Sequence, residues 1–189
     1  EAITKYLGGK TVLITGAGGS IGSELCRQLA SVGPGKLVLL GHGENSIHKI
    51  WFELSQSFPS VCIEIEIADV RDKARINDIF QKHRPHVVFH AAAHKHVPLM
   101  EMSPYEAIKT NIFGTRNVAE AASQAETSIF VLISTDKAVN PTSVMGITKR
   151  IAELVIQQVG RVSDTIFTAV RFGNVLGSNG SVVPVFQQQ

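Results

Sequence analysis

Several short runs carry side chains able to do chemistry together. Ser134-Thr135-Asp136-Lys137 sets a carboxyl group beside an ammonium, and adjacent groups of opposite charge can be tuned into an acid and a base once water is excluded. The plainer alternative is an ion pair on an exposed loop. Met145 and Lys149 stand four apart and share one helix face. Arg171-Phe172-Gly173-Asn174 brings a guanidinium suited to bidentate phosphate recognition. His90-Ala91-Ala92-Ala93-His94-Lys95-His96 combines small residues, against which a bound ligand can lie, with a cationic rim. His90, His94 and His96 invite a metal, but a zinc site needs further ligands and support around them, and Lys95 repels a cation. No metal is expected; Lys95 and His96 are read as a rim that meets an anionic substrate.

The strongest single motif is Thr15-Gly16-Ala17-Gly18-Gly19-Ser20-Ile21-Gly22. It follows an apolar β-branched run and opens a helical one, the setting in which glycines let the main chain approach a pyrophosphate. Gly16, Gly19 and Gly22 carry the spacing, and Gly18, Ser20 and Ile21 complete the cradle. No Lys-Ser/Thr follows, so a P-loop is excluded. A unit that holds NAD usually ends its second strand with a carboxylate for the ribose 2′-hydroxyl. Gly41 stands there, followed by His42, Asn45 and Ser46, which can meet a 2′-phosphate. The reading leans to NADP over NAD, although Glu44 can still serve as a ribose clamp and no arginine is present. Asp69-Val70 is placed for the adenine edge, with a helix cap as the equal alternative.

Six apolar runs must position these groups: Thr11–Thr15, Lys36–Leu40, Val61–Ile67, His86–His90, Ser128–Ser134 and Thr165–Arg171. They alternate with segments of helical period and are nearly continuously hydrophobic, which predicts an α/β, doubly wound parallel sheet of the Rossmann kind with helices on both faces. Ile21, Leu25, Leu29 and Val32 form a helix stripe that stops at Gly33-Pro34. Ser103-Pro104-Tyr105-Glu106 reads as a capping box opening a helix through Asn111 to about Ala122. Another helix is expected from about Val144 to Val159. The 189 residues, 44% hydrophobic with net charge +2, make one globular domain. The scattered basic residues give no reason to expect nucleic acid. Cys26 and Cys62 are read as reduced, buried thiols of a cytoplasmic protein. No apolar run approaches the roughly 18 residues of a membrane span. Little chain is left beyond Gly173 to cover a substrate, so residues 1–189 are expected to be a piece of a larger protein whose substrate domain is largely absent.

On these residues the chain resembles the extended short-chain dehydrogenase/reductases, within them the polysaccharide-biosynthesis branch of UDP-N-acetylglucosamine 4,6-dehydratases. The resemblance rests on Gly16–Gly22, His90–Pro98, Asn111, Ser134–Lys137 and Arg171–Gly180. It implies an NAD(P)-dependent lyase in which Asp136 and Lys137 supply the elimination acid and base and Thr135 positions the sugar. It further implies that Lys149, supported by Asn111, holds the nicotinamide ribose. Ser134 joins the cofactor contacts, and Arg171 and Asn174 the UDP-sugar contacts. Most relatives carry Tyr-x-x-x-Lys; here Met145 takes the tyrosine position, and a thioether cannot remove a hydroxyl proton. A water polarised by Lys149 or a second role for Asp136 can replace the phenol, and of these the water is preferred. A tyrosine restored at Met145 is expected to fit. The branch also implies a homo-oligomer, and a larger protein that can be anchored at the membrane. The alternatives are a UDP-sugar epimerase and a non-catalytic dinucleotide sensor, and the isolated chain is expected to bind cofactor with little turnover.

Overall fold

The computed structural model describes residues 2–173 and 175. A short helix α1 (Ala2–Leu7) leads into β1 (Thr11–Thr15), α2 (Ser20–Val32), β2 (Lys36–Gly41), α3 (Glu44–Ser57), β3 (Ile63–Ile67), α4 (Lys73–His83) and β4 (Val87–His90). Then follow α5 (Val97–Met102), α6 (Pro104–Ala107), a π-helix (Ile108–Gly114), α7 (Thr115–Gln124), β5 (Ile129–Thr135), a 3-10 turn (Asp136–Ala138), α8 (Val144–Gly160) and β6 (Ile166–Phe172). The strands form one parallel sheet in the order β3-β2-β1-β4-β5-β6. This is the doubly wound order, and it reverses direction between β1 and β4, where such sheets open a crevice beyond their carboxyl ends.

Alternation along the strands feeds two cores. Val12, Ile14, Leu37 and Leu39 pack under α1–α3 with Leu7, Cys26, Ile47 and Leu54, whereas Leu13, Val38, Leu40, Phe130 and Leu132 face Ile76, Phe80, Val118 and Ile156 of α4, α7 and α8. The central strands are apolar on both faces as expected, but the edges are not. β3 reads Ile-Glu-Ile-Glu-Ile, and its buried Glu66 is matched by Arg75, Lys82 and His83 at 2.5, 2.8 and 2.7 Å. β6 has a single strand neighbour and is largely exposed. Charge on an edge strand blunts pairing with another chain.

Two local expectations are corrected. Ser103 does not form a capping box: its hydroxyl makes no cap bond, because the residue also ends α5, donating its N–H to the Leu99 carbonyl. Glu106 is drawn instead to Arg71 and Lys109. Cys26 is buried, its thiol pushed up to about 12 by burial, but Cys62 is exposed where the chain enters the edge strand β3. Among the described residues no helix is long and apolar enough to cross a membrane.

Candidate functional site

The glycine run bends against the neighbouring connection. Gly16 has φ 67°, and a Cβ there would sit 2.7 Å from the Ala92 nitrogen, so the loop after β1 lies directly on the Ala91-Ala92 main chain. A Cβ on Gly18 would run into Ser46, and one on Gly22 into the Gly16 carbonyl. Helix α2 has Gly19 as its N-cap and no side-chain cap there, which turns its positive dipole end toward a ligand. Above lies a cleft of about 650 Å³ bordered by Gly16, Gly18 and Gly19, by His42 and Ser46, by Asp69 and Val70, and by Ala91, Ala92 and Ala93. These residues come from four separate connections, and the bare amide cradle fits a diphosphate. Ser20, Ile21 and Gly22 continue into α2 beneath it. Asn45 is in the first turn of α3 but does not border the cleft, and neither does Glu44.

The same cleft holds a residue that local sequence reasoning missed. No arginine follows β2, yet Arg71 enters the cleft from the end of β3. It donates to both Asp69 carboxylate oxygens and to Glu106 Oε2 at 2.8 Å, spanning from the β3 connection to α6. Asp69 is thereby held well below the usual carboxylate range, and the cap of α4 is Asp72, which accepts from the Arg75 N–H. Only the fold shows this, because 35 residues separate Arg71 from Glu106.

A chain of buried polar groups ties the cleft to α8. His90 does not face His94 or His96; its ring lies in the core, Nδ1 2.6 Å from Thr15 Oγ1 and Nε2 3.0 Å from Thr115 Oγ1. Thr115 gives its proton to the Asn111 carbonyl at 2.7 Å, so His90 Nε2 must be the donor and Nδ1 the acceptor. Burial, aided by Lys149, pulls this imidazole down to about 3, and it stays neutral. The Asn111 side chain accepts from the His94 N–H and donates to the His94 carbonyl and Thr148 Oγ1, at 2.8, 3.1 and 3.0 Å. Those bonds, and not one to Lys149, occupy it. The extra residue of the π-helix turns Asn111 inward, as such bulges often do at functional sites. Among the described residues no group of three or more His, Cys, Asp or Glu could hold a metal ion.

A second polar cluster lies at the end of β5. Thr135 Oγ1 donates to Asp136 Oδ1 at 2.8 Å, and the same oxygen accepts the Lys137 N–H at 2.8 Å and its ammonium at 3.1 Å. The Thr135 hydroxyl and then Lys137 hold the Asp136 carboxyl below its ordinary range, so it rests ionised. The pair is open to solvent in this chain. Gly146, another unanticipated residue, lets α8 approach: a Cβ there would lie 2.5 Å from the Lys137 carbonyl. Lys149 is buried and donates to the Ile133 carbonyl at 2.7 Å, and burial pulls it down to about 8, with Glu153 opposing. Ser134 and Arg171 do not open onto the cleft; both are bonded to Glu153 of α8, and Arg171 is committed there by two bonds of 2.8 and 2.6 Å. Lys95 and His96 precede α5, outside the residues that border the cleft. Asn174 lies outside the described residues.

Two stability predictions arise here. Met145 is buried against Met100 and Ala107 with Val97 and Val144 around it, so Met145→Tyr is expected to overpack this cluster and cost about 1–3 kcal/mol. That corrects the expectation of an easy fit; a chemical denaturation midpoint equal to wild type would refute it. For Lys149 the folded-state value lies below the unfolded 10.5. Its burial therefore costs stability at neutral pH, and the cost is relieved as pH rises from about 8 to 10.5. Lys149→Met removes the charge but also the donor to the Ile133 carbonyl, and it is expected to lose that pH dependence. Urea titrations across the interval test this; a variant whose stability still rises with pH there would contradict it.

The sheet order, the glycine cradle at its switch point and the Thr135–Lys137 edge define a Rossmann domain like those of short-chain dehydrogenase/reductases. Residues 12–189 match the family described as polysaccharide biosynthesis protein, and the chain belongs to that family. It is 60% identical to the probable polysaccharide biosynthesis protein EpsC of Bacillus subtilis, over 99% of this chain and 31% of that one. It is 39% identical to an inverting UDP-N-acetylglucosamine 4,6-dehydratase of Campylobacter jejuni over 95% of this chain and 53% of the relative. A UDP-glucose 4-epimerase of Rickettsia rickettsii shares 34% over the same proportions. Among solved structures, Pen from Bacillus thuringiensis superposes with a TM-score of 0.87 at 37% identity, covering 97% of this chain and 56% of that one. The chain thus spans about a third to a half of the length of these curated relatives.

Proposed function

We propose that the chain is the cofactor-binding and reactive half of a nucleotide-sugar 4,6-dehydratase that acts on UDP-N-acetylglucosamine in polysaccharide biosynthesis. One observation carries the reading: Asp136 and Lys137 form an acid–ammonium couple fixed by Thr135 where β5 meets α8. Simple 4-epimerisation needs no such couple, and the dehydratase relative supports the assignment. The cradle at Gly16–Gly19 and the cleft above it suit a nicotinamide dinucleotide, with adenine near Asp69-Val70. With glycine and no carboxylate at the end of β2, and His42, Ser46 and Arg71 bordering the cleft, NADP is preferred to NAD.

A nicotinamide dinucleotide held by the Gly16–Gly19 cradle would supply reversible hydride chemistry, with the sugar oxidised at C4 and reduced at C6. The residues of this chain move the protons. Asp136 rests ionised, so it takes the C4 hydroxyl proton that a phenolate would otherwise remove, and then delivers that proton to the departing C6 hydroxyl. Lys137 in its amine form takes the proton from C5, made acidic by the C4 ketone, and gives it back after water has left. The only net change in the sugar is loss of one water. This second role for Asp136 displaces the water polarised by Lys149, because the Lys149 ammonium is buried on the Ile133 carbonyl. Incubating the intact protein with UDP-N-acetylglucosamine and NADP tests the reading by mass and NMR. Loss of 18 mass units, one water, is expected. An isomer of unchanged mass would replace it with an epimerase, a reading that the Rickettsia relative favours, and cofactor binding without turnover with a sensor.

A further inference from the structure

Glu153 is a carboxylate that accepts four hydrogen bonds from three residues, and none of the proton transfers uses it. It follows Lys149 by one turn of α8 and is 2% exposed. Its Oε1 accepts the Ser134 hydroxyl at 2.6 Å and Arg171 Nε at 2.8 Å, and its Oε2 accepts Arg171 Nη2 at 2.6 Å and Arg150 Nη1 at 3.0 Å. Ser134 and Arg171 are register partners across β5 and β6, one residue before Thr135 and Phe172. One carboxylate therefore pins two strand ends and a helix at the step before the reactive residues. Stability alone does not require a buried ionic cluster, because an apolar pair of similar volume often holds such elements as well or better. Four directional bonds do what an apolar pair cannot, which is to fix angles.

We propose that Glu153 is a positioning residue for the reaction at the Thr135–Lys137 edge, its carboxylate setting the end of β5 against α8 and β6. Only the choice of assay rests on the dehydratase reading. In the intact protein, Glu153→Gln leaves Arg171 without its counter-charge and is expected to lower both the melting temperature and kcat. The double variant Glu153→Leu/Arg171→Leu removes both charges and should regain most of the melting temperature. Its kcat should stay roughly 10- to 100-fold down with KM for UDP-N-acetylglucosamine within about threefold, since a reacting group displaced by about 1 Å costs up to 10²-fold. Amide hydrogen exchange across residues 134–138 should quicken in the double variant while that of Gly16–Gly22 stays at wild-type rates. Recovery of kcat together with melting temperature, or unchanged exchange at 134–138, overturns the proposal. The exchange measurement needs no sugar. A wild type that yields an isomer, or no product, refutes the dehydratase reading, and the exchange rates still decide on Glu153.

Discussion

Lys137→Met is expected to abolish water loss from the sugar while dinucleotide affinity stays within about twofold, because a positioned base contributes about 10²–10⁴ in rate and Lys137 lies outside the cradle. The substitution keeps an unbranched apolar side chain of nearly the same length and removes the ammonium. Lys137 sits in a 3-10 turn whose geometry comes from the main chain and from Thr135, as its N–H bonds to Asp136 Oδ1 and Thr135 Oγ1 do not involve the lost group. The fold of the edge should therefore survive. Two readouts separate chemistry from binding. Hydride transfer from C4 is upstream of C5 deprotonation, so near-ultraviolet absorbance of reduced nicotinamide should still rise on adding the sugar, whereas deuterium from solvent should no longer enter C5. Wild-type rates of C5 exchange in this variant would remove Lys137 as the base and return the Asp136–Lys137 pair to an exposed ion pair of little consequence.

How much of this was legible beforehand differs between sheet and site. The six strands and their parallel sheet followed from composition, because a strand buried on both faces has to be apolar throughout, as Val12-Leu13-Ile14 and Phe130-Val131-Leu132-Ile133 are. Boundaries moved by up to two residues: Val61–Ile67 shortened to Ile63–Ile67, since pairing with Leu37–Gly41 begins only at Ile63. The glycine spacing was legible for a similar reason, as close approach tolerates no other residue. Groups whose partners lie far along the chain were not. Arg171 reads as a free phosphate ligand until Glu153, eighteen residues earlier, is seen to claim it. His90 reads as one of three histidines in a row, but its strand position turns it inward to Thr15 and Thr115, 75 and 25 residues away. A polar residue within an apolar strand end was the available signal, because a buried donor needs a partner somewhere. Arg71 carried no such signal, being exposed and ordinary in its local sequence.

Gly22→Ala should be the most damaging small change to the cradle, and its effect separates the glycine loop as a binding device from the loop as a mere turn. Gly22 lies in α2, where alanine is ordinarily preferred by about 1 kcal/mol, so propensity alone predicts stabilisation. The structure predicts the opposite. A Cβ at Gly22 meets the Gly16 carbonyl oxygen, lies 2.7 Å from its carbon and 3.0 Å from Ala17 Cα. All three are main chain, so no side-chain rotation relieves the clash. Gly16 itself cannot retreat, as its far side presses on Ala92 and its φ of 67° leaves few alternatives. The helix must lift from the loop, which withdraws its N-terminal end from the position where it meets a diphosphate. We expect a loss of about 1–3 kcal/mol in fold stability, of the order seen for overpacking against rigid neighbours, and a fall in dinucleotide affinity of about 10²-fold or more as charge-assisted amide contacts are lost. Gly33→Ala is the matched control. Gly33 also has positive φ, 75°, but nothing lies within 4 Å of its would-be Cβ, so it should lose stability without losing cofactor. Calorimetric titration of both variants with NADP and with NAD makes the comparison. If Gly22→Ala binds either dinucleotide as wild type does, the cradle is not where the diphosphate sits.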